Sequence, residues 1–154
     1  MKLKFVFLAI AILLCISMAV AHPHFNRTSK ISMGQGQDVT ITHVTFPWNE
    51  ANPDRMPATG WAVGGAKVAA TMALTSGDTS IPAGEYGIKI NKASKGFSMQ
   101  LTSGDKTYDL ESKNTTGLSD QDHLMIDIHV TGDSGYVVLR YGTFSVAGQI
   151  QANH

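Results

Sequence analysis

The feature that most constrains this chain is a hydrophobic period of two, recurring in short segments separated by Gly, Asp and Ser turns. Asp38 to Phe46 (DVTITHVTF) sets Val39, Ile41 and His43 on one side and Thr40, Thr42 and Val44 on the other, an alternation of β-branched residues that suits a half-buried strand. Glu85 to Ile90 follows Ile81-Pro82-Ala83-Gly84, where Pro followed two residues later by Gly fits a type II turn. Gly96–Thr102 and Lys106–Glu111 flank Ser103-Gly104-Asp105, and His123–Val130 and Tyr136–Phe144 flank Thr131 to Gly135, so each pair reads as a hairpin. Lys67–Leu74 (KVAATMAL) is ambiguous between a strand and a short helix. No segment carries an amphipathic helix. The expectation is an all-β chain: one antiparallel, jelly-roll-like β-sandwich over 22–154.

Residues 1–21 stand apart. Lys2 and Lys4 precede an unbroken apolar run from Phe5 to Ile16, and Ala19-Val20-Ala21 closes it with a small-x-small pattern. Those are the three parts of a cleavable export signal, and the run falls short of the ~20 residues a spanning helix needs. The reading is a signal peptide over 1–21 and a periplasmic or secreted mature chain with no membrane span. Cleavage would also remove Cys15, the only cysteine. The mature chain would then have neither disulfides nor thiol chemistry, and a metal would need His, carboxylate or Met ligands.

Charge narrows the partners. The full chain balances 12 Lys+Arg against 12 Asp+Glu, and without Lys2 and Lys4 the acidic residues are in slight excess. That excludes the basic footprint of a nucleic-acid binder. Small-molecule, glycan or envelope ligands remain.

Two constellations carry chemistry. Cleavage after Ala21 would expose His22, whose α-amine and imidazole can chelate one copper ion in the manner of a histidine brace. The completing imidazole would come from His24, His43, His123 or His129, and we take His22, His24 and His129 as the candidate metal residues. The bland alternative is a frayed polar terminus. In His123-Leu124-Met125-Ile126-Asp127-Ile128-His129, a strand would turn Leu124, Ile126, Ile128 and Val130 inward and His123, Met125, Asp127 and His129 to the opposite, solvated face. His123 and His129 would lie ~20 Å apart on it, too far to share an ion. His43, on the Val39 and Ile41 side, reads first as a structural histidine.

Pro47–Gly65 breaks the alternation with three prolines and both tryptophans. Trp48 and Trp61 on such a loop are candidate ligand-stacking residues; the alternative is that they fold back as plugs over an open end of the sandwich. No nucleophile elbow and no phosphate loop occurs. The expected function is therefore a non-enzymatic binding or envelope-associated module without a cofactor, with a mononuclear copper carrier or oxidase as the competing class.

The segment Ile81-Pro82-Ala83-Gly84-Glu85-Tyr86-Gly87-Ile88 resembles a secreted bacterial family, domain of unknown function 2911. Members carry a Pro-Ala-Gly-x-Tyr turn leading into a strand, preceded by a Thr/Val-rich strand like Asp38 to Phe46. The resemblance spans roughly Ile31 to Ile150, and the stretch around Trp61 departs from the family's version. It implies an extracytoplasmic β-rich domain and carries over no catalytic residue.

Overall fold

A computed structural model describes residues 24–33, 36–47, 59–94, 96–114, 121–131, 134–142 and 144–153. The chain is all-β, and among the described residues twelve strands form two antiparallel sheets packed face to face. The first sheet runs β1 (Asn26–Ser32), β2 (Asp38–Val44), β3 (Trp61–Ala70), β6 (Gly84–Ala93), β7 (Gly96–Ser103) and β8 (Lys106–Asp109) in that order. The second runs β10 (Gln121–Thr131), β11 (Ser134–Gly142), β12 (Phe144–Ala152), β4 (Leu74–Ser76) and β5 (Thr79–Ile81), with β9 (Ser112–Asn114) also pairing β12.

The alternation read from the sequence builds the core. Val39 and Ile41 on β2, Val68 on β3, Ile88 and Ile90 on β6, and Met99 and Leu101 on β7 meet Leu124 and Ile126 on β10, Leu139 on β11 and Ile150 on β12, all essentially without solvent exposure. Each such side chain contributes about 1.5–3 kcal/mol of transfer free energy.

The ambiguous Lys67–Leu74 segment is not helix: Lys67–Ala70 ends β3, which pairs β2 on one side and β6 on the other, and after a bend at Thr71 and Met72 the chain enters β4 at Leu74; two ladders outweigh the helix preference of the alanines. Gly65 sits at φ +71°, where β3 slips register against β6 between Ala62 and Lys67, a bulge conformation that only glycine adopts without strain. The stretch from Trp61 to Gly65 thus belongs to a bulged strand; the rest of the Trp48-bearing interval, 48–58, lies outside the described residues.

Both sides of the sandwich are laced. On one, the chain leaves the first sheet after β8 and enters the second as β9, through Leu110 N donating to Met99 O (3.0 Å), Met99 N to Ser112 Oγ (2.9 Å) and Glu111 N to Ser76 Oγ (2.8 Å). Gly148 makes that crossing possible, because a Cβ there would lie 2.5 Å from Leu110 Cδ1. On the other, β10 would be a bare edge with unpaired N–H groups. Leu124 N donates instead to Phe46 O (2.8 Å), Pro47 and His123 form an isolated bridge, and Ile126 N donates to Nε2 of His43 (3.2 Å).

Two side-chain expectations for β10 are corrected here. Val130, expected to face the core, is 54% exposed at the end of β10, next to the turn into β11. The face bearing His123, Met125 and Asp127 is half-buried, since β1 side chains lie against it: Arg27 Nη1 donates to Met125 Sδ (3.2 Å) and Ser29 Oγ to Asp127 Oδ1 (3.4 Å). Of the four residues expected on that solvated face, His129 is the exposed one. Among the described residues no helix is long and apolar enough to cross a membrane.

Candidate functional site

The start of β1, the end of β2 and the start of β10 converge at the laced edge. There the surface opens into a cleft of about 400 Å³ lined by Phe25, Arg27, Thr45, His123 and Met125. Sequence separation hid it, as Arg27 and Met125 are 98 residues apart.

Each wall is held by backbone. Thr45 N donates to Phe25 O (2.8 Å) and Phe25 N to Thr45 Oγ1 (3.0 Å), which extends the β1–β2 ladder past its last regular pair. His24 Nδ1 lies 3.1 Å from Thr45 O, just behind this wall. The opposite wall comes from β10: Met125 pairs Arg140 of β11, and His123, in the irregular stretch between Gln121 and Met125, bridges Pro47. Phe25 is 57% exposed, an unusual position for a phenyl ring beside an ordered strand. Among the described residues no carboxylate lines the cleft. Asp127, two residues beyond Met125 on β10, is engaged by Arg140 Nη2 (2.6 Å) and Ser29.

Below the cleft lies His43, 2% exposed, a buried structural histidine as its place in the alternation predicts. Its Nε2 accepts from Ile126 N, so in the neutral ring the proton sits on Nδ1. Nδ1 is buried and has no hydrogen-bond partner among the described residues. Burial holds the His43 pKa below the ordinary histidine value, the nearby Arg27 guanidinium lowers it further, and Asp127 partly opposes both.

Trp61 is half-buried on β3 and packs within the molecule. Its ring stacks on Tyr141 (5.7 Å, 27°) and meets Phe46 edge-on (6.3 Å), while Tyr141 donates its hydroxyl to Pro47 O (2.8 Å). This is the geometry of a plug over the end of the core. Trp48 and His22 lie outside the described residues, as does the export signal read at 1–21.

Of the candidate metal residues, His24 and His129 do not meet. His24 is at the His123 end of the β10 seam, and His129 is six residues along the strand from His123, so His24 and His129 stand at opposite ends, ~20 Å apart by strand rise. Among the described residues no group of three His, Cys, Asp or Glu side chains converges as a metal site.

The Pro82-Ala83-Gly84-x-Tyr86 motif has a structural use: the Tyr86 hydroxyl donates back to Pro82 O, and its ring packs edge-on against Tyr108 (5.6 Å). Burial, with Tyr108 nearby, raises the Tyr86 pKa. Compared with known proteins, the chain matches no family model, no curated protein and no solved structure.

Proposed function

We propose that the protein is an exported, non-enzymatic binding module whose ligand occupies the cleft between β1 and β10, and that this ligand joins an apolar body to an anionic group. The carrying observation is the cleft itself: about 400 Å³, with an exposed phenyl ring, a thioether and a guanidinium on its walls and no carboxylate among the described residues that line it. That volume falls in the range of small-molecule sites, roughly 300–1,000 Å³. Phe25 and Met125 supply apolar contact, and Arg27 supplies a fixed positive charge that a carboxylate or sulfonate can pair with in fork geometry. The Thr45 hydroxyl oxygen accepts a hydrogen bond from Phe25 N, which ties it to the wall of the cleft. Export rests on the basic start, short apolar run and small-x-small end of residues 1–21.

The test is a fragment titration with aryl and alkyl carboxylates and sulfonates, followed by backbone-amide and methionine-methyl NMR. Shifts should cluster on Phe25, Arg27, Thr45, His123 and Met125. Arg27→Ala and Phe25→Ala should each weaken binding at least about tenfold, the scale of one lost charge-assisted bond. Binding indifferent to both substitutions, shifts mapping elsewhere, or no fragment bound would overturn the assignment.

A further inference from the structure

The edge strand β10 is held to the opposite sheet by a hydrogen bond that needs a neutral imidazole. Ile126 N points out of the β10–β11 ladder, and the acceptor it finds is the lone pair on His43 Nε2, 83 residues earlier in the chain. A proton on Nε2 would set N–H against N–H at 3.2 Å and remove the bond. The bond also lies directly beneath the cleft. Met125 adjoins Ile126 and Thr45 follows His43 by two residues, so the residues it ties together carry the two walls.

We infer that His43 is a pH-sensitive latch: neutral, it clamps β10 to β2 and holds the cleft closed to its present width; protonated, it releases Ile126 and lets β10 move away from β1 and β2. The charges around it favour release once the proton arrives. From β1, Arg27 stands directly opposite His43 in the strand register and repels an imidazolium. From β10, Asp127 attracts it, but that carboxylate is already bound by Arg140 of β11 and by Ser29. From β3, the core side presents buried Ala66 and Val68, while Lys67 lies in solvent beside Glu85. Nδ1, without a partner among the described residues, offers an imidazolium no compensating bond.

A buried histidine neutral in the folded state binds its proton more readily in the unfolded or opened state. Its stabilisation is therefore complete above the ordinary histidine value and is lost as pH falls below it. The latch needs no ligand; only its consequence for binding rests on the reading of the cleft as the ligand site.

The test is hydrogen exchange of the Ile126 amide in the full chain, corrected for intrinsic rates, from about pH 7.5 to about pH 5. Ile126 should lose at least about tenfold in protection relative to the core amide of Ile88 across that range. His43→Gln, whose side-chain oxygen reaches a similar position but does not titrate, should flatten the dependence. An unchanged pH dependence in His43→Gln would overturn the inference by assigning the titration to His24, His123 or Asp127. Nitrogen-detected imidazole NMR of the unmodified chain gives a second route should that variant fail to fold. It should show the Nδ1–H tautomer at neutral pH, and an Nε2–H tautomer would overturn the latch. The Met125 methyl resonance should titrate with the His43 ring; a methyl that ignores the ring would overturn the coupling to the cleft, whether or not any fragment binds there.

Discussion

Truncating Trp61 to alanine separates a plug from a ligand platform, and the structure sets the size of the effect. Removing a fully buried Trp costs about 3–5 kcal/mol; Trp61 is half-buried, which brings that to about 2 kcal/mol. Part of this is specific ring contact, the stack on Tyr141 at 5.7 Å and the edge contact with Phe46 at 6.3 Å, worth about 0.5–1.5 kcal/mol each. The two estimates overlap, so the commitment is a loss of about 2–3 kcal/mol. In a domain of this size that lowers Tm by about 10 °C. Urea unfolding followed by far-ultraviolet circular dichroism measures it without relying on the missing fluorophore, and the m value should be unchanged. Trp61→Phe should recover more than half of the loss, since a phenyl ring still fills the space against Tyr141. Fragment binding should persist in both variants below their melting ranges, because Trp61 does not line the cleft. A loss under about 0.5 kcal/mol with abolished ligand binding would refute the reasoning and return Trp61 to the role of a stacking platform.

Other consequences can be checked in the same assays. Gly148→Ala should cost about 1–3 kcal/mol by overpacking, since its new methyl would press on Leu110 Cδ1 from 2.5 Å; a neutral result would mean that the β9 crossing is looser than described. Asp127→Ala should cost about 2 kcal/mol by leaving the partly buried Arg140 without its 2.6 Å partner, and a paired Arg140→Ala background should absorb most of that. Tyr141→Phe removes one hydrogen bond to Pro47 O and should cost about 1 kcal/mol. Global stability should fall as pH drops below the ordinary histidine value. Urea midpoints across that range should show the fall, and His43→Gln should reduce it.

How much of this was legible depended on whether a strand advertises itself through burial. β2, β6, β7 and the start of β10 did so because one face meets the core and the other meets water, so Val39, Ile41 and His43 could be placed inward from spacing alone. β1 did not: as a sheet edge it turns Arg27 and Ser29, rather than apolar residues, toward its neighbour, and only Ile31 packs on the core. β12 did not for the opposite reason. Ser145, Val146, Ala147 and Gly148 are buried in succession where β9 crosses, and Gly148 leaves a gap in the pattern for Leu110 to fill. The cleft was illegible because no local pattern contains it. Phe25 and Arg27 come from a polar segment at the start of the described residues, and His123 and Met125 from a face whose sequence resembles an ordinary solvated one. Trp61 drew attention as an aromatic in an irregular stretch, yet a bulge at Gly65 and two ring contacts make it part of the fold.

The central claim, that the β1–β10 cleft is the site of a binding module, is tested most directly by the carboxylate and sulfonate fragment titration read residue by residue. The account predicts saturable shifts centred on Phe25, Arg27, Thr45, His123 and Met125, weakened about tenfold by Arg27→Ala without loss of fold. Shifts centred on another surface, or binding that Arg27→Ala leaves intact, would contradict it.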